Sequence, residues 1–243
     1  MHPRNLLPAS AAALSCAVPA SAGFVGWAAS SRIDGTTVLV DVVANFDAAS
    51  DRVLNVYDTG IGVSGATFIQ DPALSRKAWA PAAGQTGDER DSFMTIGGAD
   101  GLFALSGSGT GGDPSFTGTP GAWTPTLLST PSTMVPPNAG WYASNPDSAE
   151  IVAMDLDSAP GLDWQNRAGR YGVWVAHFAF DLAALAPGAS VTFTGQVGYK
   201  ATVGPGGPMF GGGSAQFTII PAPGAVALLA AAGLVGARAR ARR

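Results

Sequence analysis

Gly172–Leu182, GVWVAHFAFDL, is the stretch on which the fold turns. Its valines and aromatic residues favour extended backbone, and no proline interrupts it. Read with the period of two that a strand imposes, Val173, Val175, His177 and Ala179 share one face. Trp174, Phe178 and Phe180 take the other.

Working outward, the same strand signal recurs. Thr37–Phe46 (TVLVDVVANF) precedes a turn-like Asp47–Asp51, and Arg52–Ile61 (RVLNVYDTGI) follows as the expected hairpin partner. Ser190–Tyr199 comes after Gly172–Leu182 through Ala186-Pro187-Gly188, and Ala215–Ile220 closes the series. Shorter strands are expected at Ala66–Ile69, Ser92–Ile96 and Glu150–Leu156. Between Gly97 and Gly140 the chain is dominated by Gly, Pro, Ser and Thr. This reads as long ordered loops with short strands, anchored by Phe103, Phe116 and Trp123. Gly204–Gly213 reads as a second, flexible loop. Many short strands and few helical patterns point to an all-β fold: a single antiparallel β-sandwich or jelly-roll-like domain over residues 23–220.

Composition narrows the function classes. The 33 glycines and 18 prolines among 243 residues disfavour helices. Five of the 13 basic residues lie near the termini, whereas all 17 acidic residues lie between them. The middle therefore holds 8 basic against 17 acidic residues, a balance of -9. Such a surface lacks the cations that neutralise phosphates, which argues against nucleic acid as a partner. Cys16 is the only cysteine and lies in the N-terminal segment, leaving the domain without a disulfide, thiolate metal site or cysteine nucleophile.

Both ends carry address signals. Residues 1–22 have the three parts of a secretory signal peptide: Arg4, an apolar run from Leu6 to Val18, and Ala20-Ser21-Ala22 as a cleavage site before Gly23. A lipoprotein reading through Leu14-Ser15-Cys16 fits less well, with Ala13 where such sites carry leucine. At the other end, Pro221-Ala222-Pro223-Gly224 precedes the apolar run Ala225–Ala237. Arg238, Arg240, Arg242 and Arg243 then stand at the C-terminal end. A hydrophobic helix is expected at about residues 224–237, shorter than the roughly 20 residues of a comfortable span. The arginines would remain on the cytoplasmic side.

Residues 221–243 resemble the bacterial PEP-CTERM sorting signal: a Pro-Glu-Pro-like motif, a short transmembrane helix and an arginine-rich end. Pro221 and Pro223 match its two prolines, with Ala222 where the family has glutamate. The resemblance implies an exosortase-like sorting enzyme and the secretion machinery as partners. It also implies membrane anchoring, transient or permanent, through the C-terminal helix.

Chemistry-bearing motifs are sparse. Gly60-Ile61-Gly62-Val63-Ser64-Gly65 matches G-x-G-x-x-G, but a strand-like stretch follows where a dinucleotide site needs a helix, so a glycine-rich turn is expected. His177 is the only histidine beyond the signal segment and no G-x-S-x-G elbow accompanies it, so a packed or edge histidine is expected. Asp155, Asp157 and Asp163 are weak calcium candidates in a strand-end loop without EF-hand spacing. Asp88, Glu89 and Asp91 form a second acidic cluster, read as solvated. Trp79, Trp123, Trp141, Tyr142 and Trp164 fall in or beside loops, where aromatic rings can stack on sugars or anchor a core.

Three roles fit. The leading expectation is an exported, non-enzymatic cell-surface or extracellular-matrix protein with no catalytic residues and no cofactor beyond a structural calcium. A carbohydrate- or protein-binding module comes second, with extracellular polysaccharide as a partner. A secreted glycoside-acting hydrolase is last, because it needs a carboxylate pair across a cleft.

Overall fold

The computed structural model describes residues 23–70, 79, 90–97, 115–118, 135, 137–143, 145–158, 162–201 and 207–219. The signal segment with Ala20 and Ala22, and the tail with Pro221, Pro223 and its arginines, lie outside the described residues. So do Trp123, Asp88 and Glu89.

Strand signals become two antiparallel sheets. Sheet I joins β1 (Phe24–Asp34), β2 (Thr37–Phe46), β4 (Phe93–Met94), β7 (Met154–Asp155), β8 (Trp164–Gln165) and β9 (Tyr171–Asp181). Its order is β4-β9-β2-β1-β8, with β7 also on β9. Sheet II runs β11-β10-β3-β6-β5, from β3 (Arg52–Ser64), β5 (Ser115–Gly118), β6 (Ala139–Tyr142), β10 (Ser190–Lys200) and β11 (Pro208–Thr218). Among the described residues there is no α-helix, and no helix long and apolar enough to cross a membrane. The all-β expectation holds.

One apolar core serves both sheets. Val38, Val40, Val42, Ala44 and Phe46 of β2 and Phe178 and Phe180 of β9 join Val56, Trp141, Val191, Phe193 and Phe217 from sheet II. Rings bridge between the sheets: Trp27 lies 4.8 Å from Phe193, and Phe46 lies 5.3 Å from Tyr199. Fully burying such a side chain contributes roughly 1.5–3 kcal/mol. Along one margin, the Gln165 carboxamide donates to Thr218 O (2.8 Å) and accepts from Thr218 N (2.9 Å). A side chain of sheet I thus satisfies both outward backbone groups of an edge residue in sheet II.

Several expectations are corrected. Thr37–Phe46 and Arg52–Ile61 do not form a hairpin. β2 is buried along its whole length, between β1 and β9, so the chain crosses at Asp47–Asp51 to the other sheet. Gly211–Gly213 belong to β11 and pair with Val197, Gln196 and Gly195 instead of forming a loop. A side chain at Gly211 would come within 2.5 Å of the Phe24 ring, so the glycine makes room for core packing. Gly60–Ser64 lie inside β3, and only Gly65, at φ +69°, turns the chain. Within Glu150–Leu156 the strand is limited to Met154–Asp155, between the 3-10 turns Ala149–Ile151 and Leu156–Ser158. Ala66–Ile69 reduces to one bridge, Phe68 to Phe180.

Candidate functional site

A register slip in β9 determines what surrounds its histidine. Val42 pairs with Ala176 but Val43 with Trp174, so Val175 is the extra residue of a β-bulge. Val173, Val175, Ala176, Phe178 and Phe180 all turn into the shared core, while Trp174 packs on the opposite side of sheet I. His177 therefore shares a face with Trp174 and not with Val173 and Val175, correcting the period-two assignment. The bulge reverses the alternation between residues 174 and 177.

His177 stands in a cross-strand row, Ser30–Asp41–His177–Phe93, running over β1, β2, β9 and β4. All four are buried. Its Nδ1 lies 2.6 Å from Asp41 Oδ1, and Arg32 pairs with Asp41 Oδ2. Phe93 stacks on the imidazole with centroids 4.9 Å apart, and Trp174 meets it edge-on at 5.7 Å. An aspartate orienting a histidine has the outline of two-thirds of a triad. Here the imidazole has no solvent exposure. The nearby Ser92 hydroxyl bonds the Ala179 backbone on both sides, accepting from its N–H at 2.9 Å and donating to its O at 3.3 Å. Within the row, Asp41 ties β2 to β9 through His177 and to β1 through Arg32.

Asn45, on the same face of β2, does similar work. Its Oδ1 accepts from Ala168 N and Gly169 N at 2.9 and 2.6 Å, and its Nδ2 donates to Gly169 O and Tyr171 O at 3.0 and 2.7 Å. Four bonds from one buried amide clamp the turn before β9.

The calcium candidates separate. Asp155 accepts from Arg170 Nη2 at 2.5 Å and Asp157 from Arg167 Nη1 at 2.7 Å, Arg170 Nε also lies 3.6 Å from Asp157, and Asp163 is exposed. The Arg170 hydrogen bond holds the Asp155 carboxyl below the usual carboxylate range, and Arg167 does the same for Asp157. Arg170 is raised in turn by Asp155. Two arginines thus neutralise the two acids that would ligate an ion. Among the described residues no three His, Cys, Asp or Glu side chains converge on a metal position.

Among the described residues, no tryptophan forms an exposed platform. Trp79 and Trp141 are fully buried, the latter donating to Thr95 O at 2.8 Å, and Trp164 is partly buried. Among the described residues, the exposed aromatics are Tyr142, at 42%, and Phe210, at 65%. Both stand on the outer face of sheet II in one row: Phe210 opposite Gly198, Gly198 opposite Asn55, Asn55 opposite Tyr142. Sequence reasoning singled out Tyr142 but missed Phe210, which lay hidden in a glycine run read as loop. Comparison of the chain with protein-family models, curated proteins and solved structures gives no match.

Proposed function

We propose that this chain is an exported, non-enzymatic β-sandwich protein, displayed on the cell surface or in the extracellular matrix and sorted through its C-terminal segment. The observation that carries this is the order of segments after β11: Pro221-Ala222-Pro223, the apolar run Ala225–Ala237, then the arginines. That order resembles the PEP-CTERM signal and calls for an exosortase-like enzyme. The core shared by the two sheets supports the sandwich reading, with Trp27–Phe193 and Phe46–Tyr199 ring contacts between them. The burial of His177 and the arginine pairing of Asp155 and Asp157 support a non-enzymatic role.

A second reading, a binding module, is favoured by the exposed Tyr142–Phe210 row. It is compatible with display, since a displayed domain acts by what its open face holds.

Fractionation of cells expressing the full chain and a form lacking Pro221–Arg243 tests the proposal. The truncated form should appear in the medium, beginning at Gly23, while the full chain is first retained in the membrane. Equal membrane retention of both forms contradicts it.

A further inference from the structure

The outer face of sheet II is polar at its centre, with Asp58 exposed where β3 bulges. Three of its glycines lie beneath polar side chains of neighbouring strands: Asn55 over Gly198, Gln196 over Gly212, and Thr194 over Gly60. A Cβ at Gly212 would sit 2.8 Å from Gln196 Oε1, and one at Gly60 would sit 2.7 Å from Thr194 Oγ1. Asn55 Oδ1 accepts from Gly198 N at 2.9 Å, and Thr194 Oγ1 donates to Gly60 O at 2.9 Å. These side chains lie over the glycines as a polar floor. Above this floor Phe210 and Tyr142 stand three strand spacings apart, roughly 14 Å.

The next outward row, about 7 Å along the strands, carries Lys200 directly opposite Arg52. Like charges directly opposite destabilise a sheet. Asp147 offers Arg52 only a distant carboxylate, at 3.9 Å on an 86% exposed side chain. An anion bound from solution would offset that repulsion.

We infer that this face binds an acidic polysaccharide, with Phe210 and Tyr142 stacking on sugar rings and Lys200 and Arg52 meeting carboxylates along the polymer. The inference rests on the display proposed above only for access to such a partner. Amides and hydroxyls between two rings suit the equatorial hydroxyls and apolar faces of pyranoses. Single-stranded nucleic acid is held by a positively charged groove that tracks its backbone, and two cations on a domain with a balance of -9 do not form one. An acidic peptide needs side-chain pockets, and side chains lie over the glycines here.

Affinity electrophoresis of the full chain in neutral detergent, with polygalacturonate or dextran in the gel, tests this. Polygalacturonate should retard the protein at low salt, and dextran should not. The Phe210→Ala/Tyr142→Ala pair should weaken retardation about tenfold. The Lys200→Gln/Arg52→Gln pair should abolish its salt dependence. The Phe210→Tyr/Tyr142→Phe pair keeps both rings and should bind normally, and circular dichroism confirms that each variant folds. Absence of retardation, full retardation of either disabling pair, equal retardation by dextran, or equal competition by polyglutamate or oligo-dT overturns the inference. Loss of binding with tail-dependent retention intact would refute this face alone, and the reverse would refute the sorting proposal alone.

Discussion

Two cross-strand rows, one on each sheet, have opposite fates. Ser30–Asp41–His177–Phe93 on sheet I is chemically rich and wholly buried. Phe210–Gly198–Asn55–Tyr142 on sheet II is chemically plain and open at both ends. The difference arises from what covers each sheet. The side of sheet I away from the shared core has its own apolar layer of Ala28, Val43, Phe93, Leu156 and Trp174, with Met154, Leu162 and Trp164 packed against it. Asp41 and His177 lie on that side with no solvent exposure. On sheet II the described outward positions include glycine, amide, hydroxyl, two exposed rings and the charged Arg52, Asp58 and Lys200.

The comparison can be broken by stability. Asp41→Ala removes the shared partner of Arg32 and His177 and should cost about 1–3 kcal/mol, since it deletes a buried hydrogen bond. Phe210→Ala, which removes a larger side chain, should fall within about 0.5 kcal/mol of the parent. Urea unfolding of the two variants measures both. A cost for Asp41→Ala as small as that for Phe210→Ala would remove the structural role assigned to the buried row.

A smaller effect sharpens the contrast between buried and surface charge. Asp155 and Asp157 both titrate below the ordinary carboxylate value of 3.8, through hydrogen bonds from Arg170 and Arg167 respectively. Depressed carboxylates stabilise the fold above their ordinary range, and that contribution fades as pH falls through their lowered values. Carboxyl-carbon NMR titration should give midpoints under 3.8 for both, and Arg167→Gln should move Asp157 upward more than Asp155. Unshifted midpoints would mean that the arginines do not neutralise the cluster.

The legible parts of the fold were strands whose side chains announce them. Thr37–Phe46 was readable to the residue, and Arg52–Ile61, Gly172–Leu182 and Ser190–Tyr199 nearly so, because β-branched and aromatic residues dominate them. β1 went unnoticed, since Ala28-Ala29-Ser30-Ser31 carries little strand propensity and is held by pairing with β2. β11 was cut short because Gly211–Gly213 have no side chains to alternate. Strand partners were not legible at all. Sequence proximity suggested a hairpin where burial on both faces of β2 demanded two other neighbours. The face of His177 was hidden by a one-residue bulge, which reverses every assignment beyond it. The open face of sheet II was half visible, through Tyr142, and its other ring needed the register of β11.

The most direct test of the account maps the two sheets against the proposed partner. In ¹H–¹⁵N spectra of the full chain in neutral detergent, titration with a short oligogalacturonate should shift amides of β3, β6, β10 and β11, centred on Asn55, Tyr142, Gly198 and Phe210. The amides of β2 and the centre of β9 should stay in place. Shifts concentrated around Asp41 and His177, or none on sheet II, would contradict the assignment of architecture to one sheet and recognition to the other.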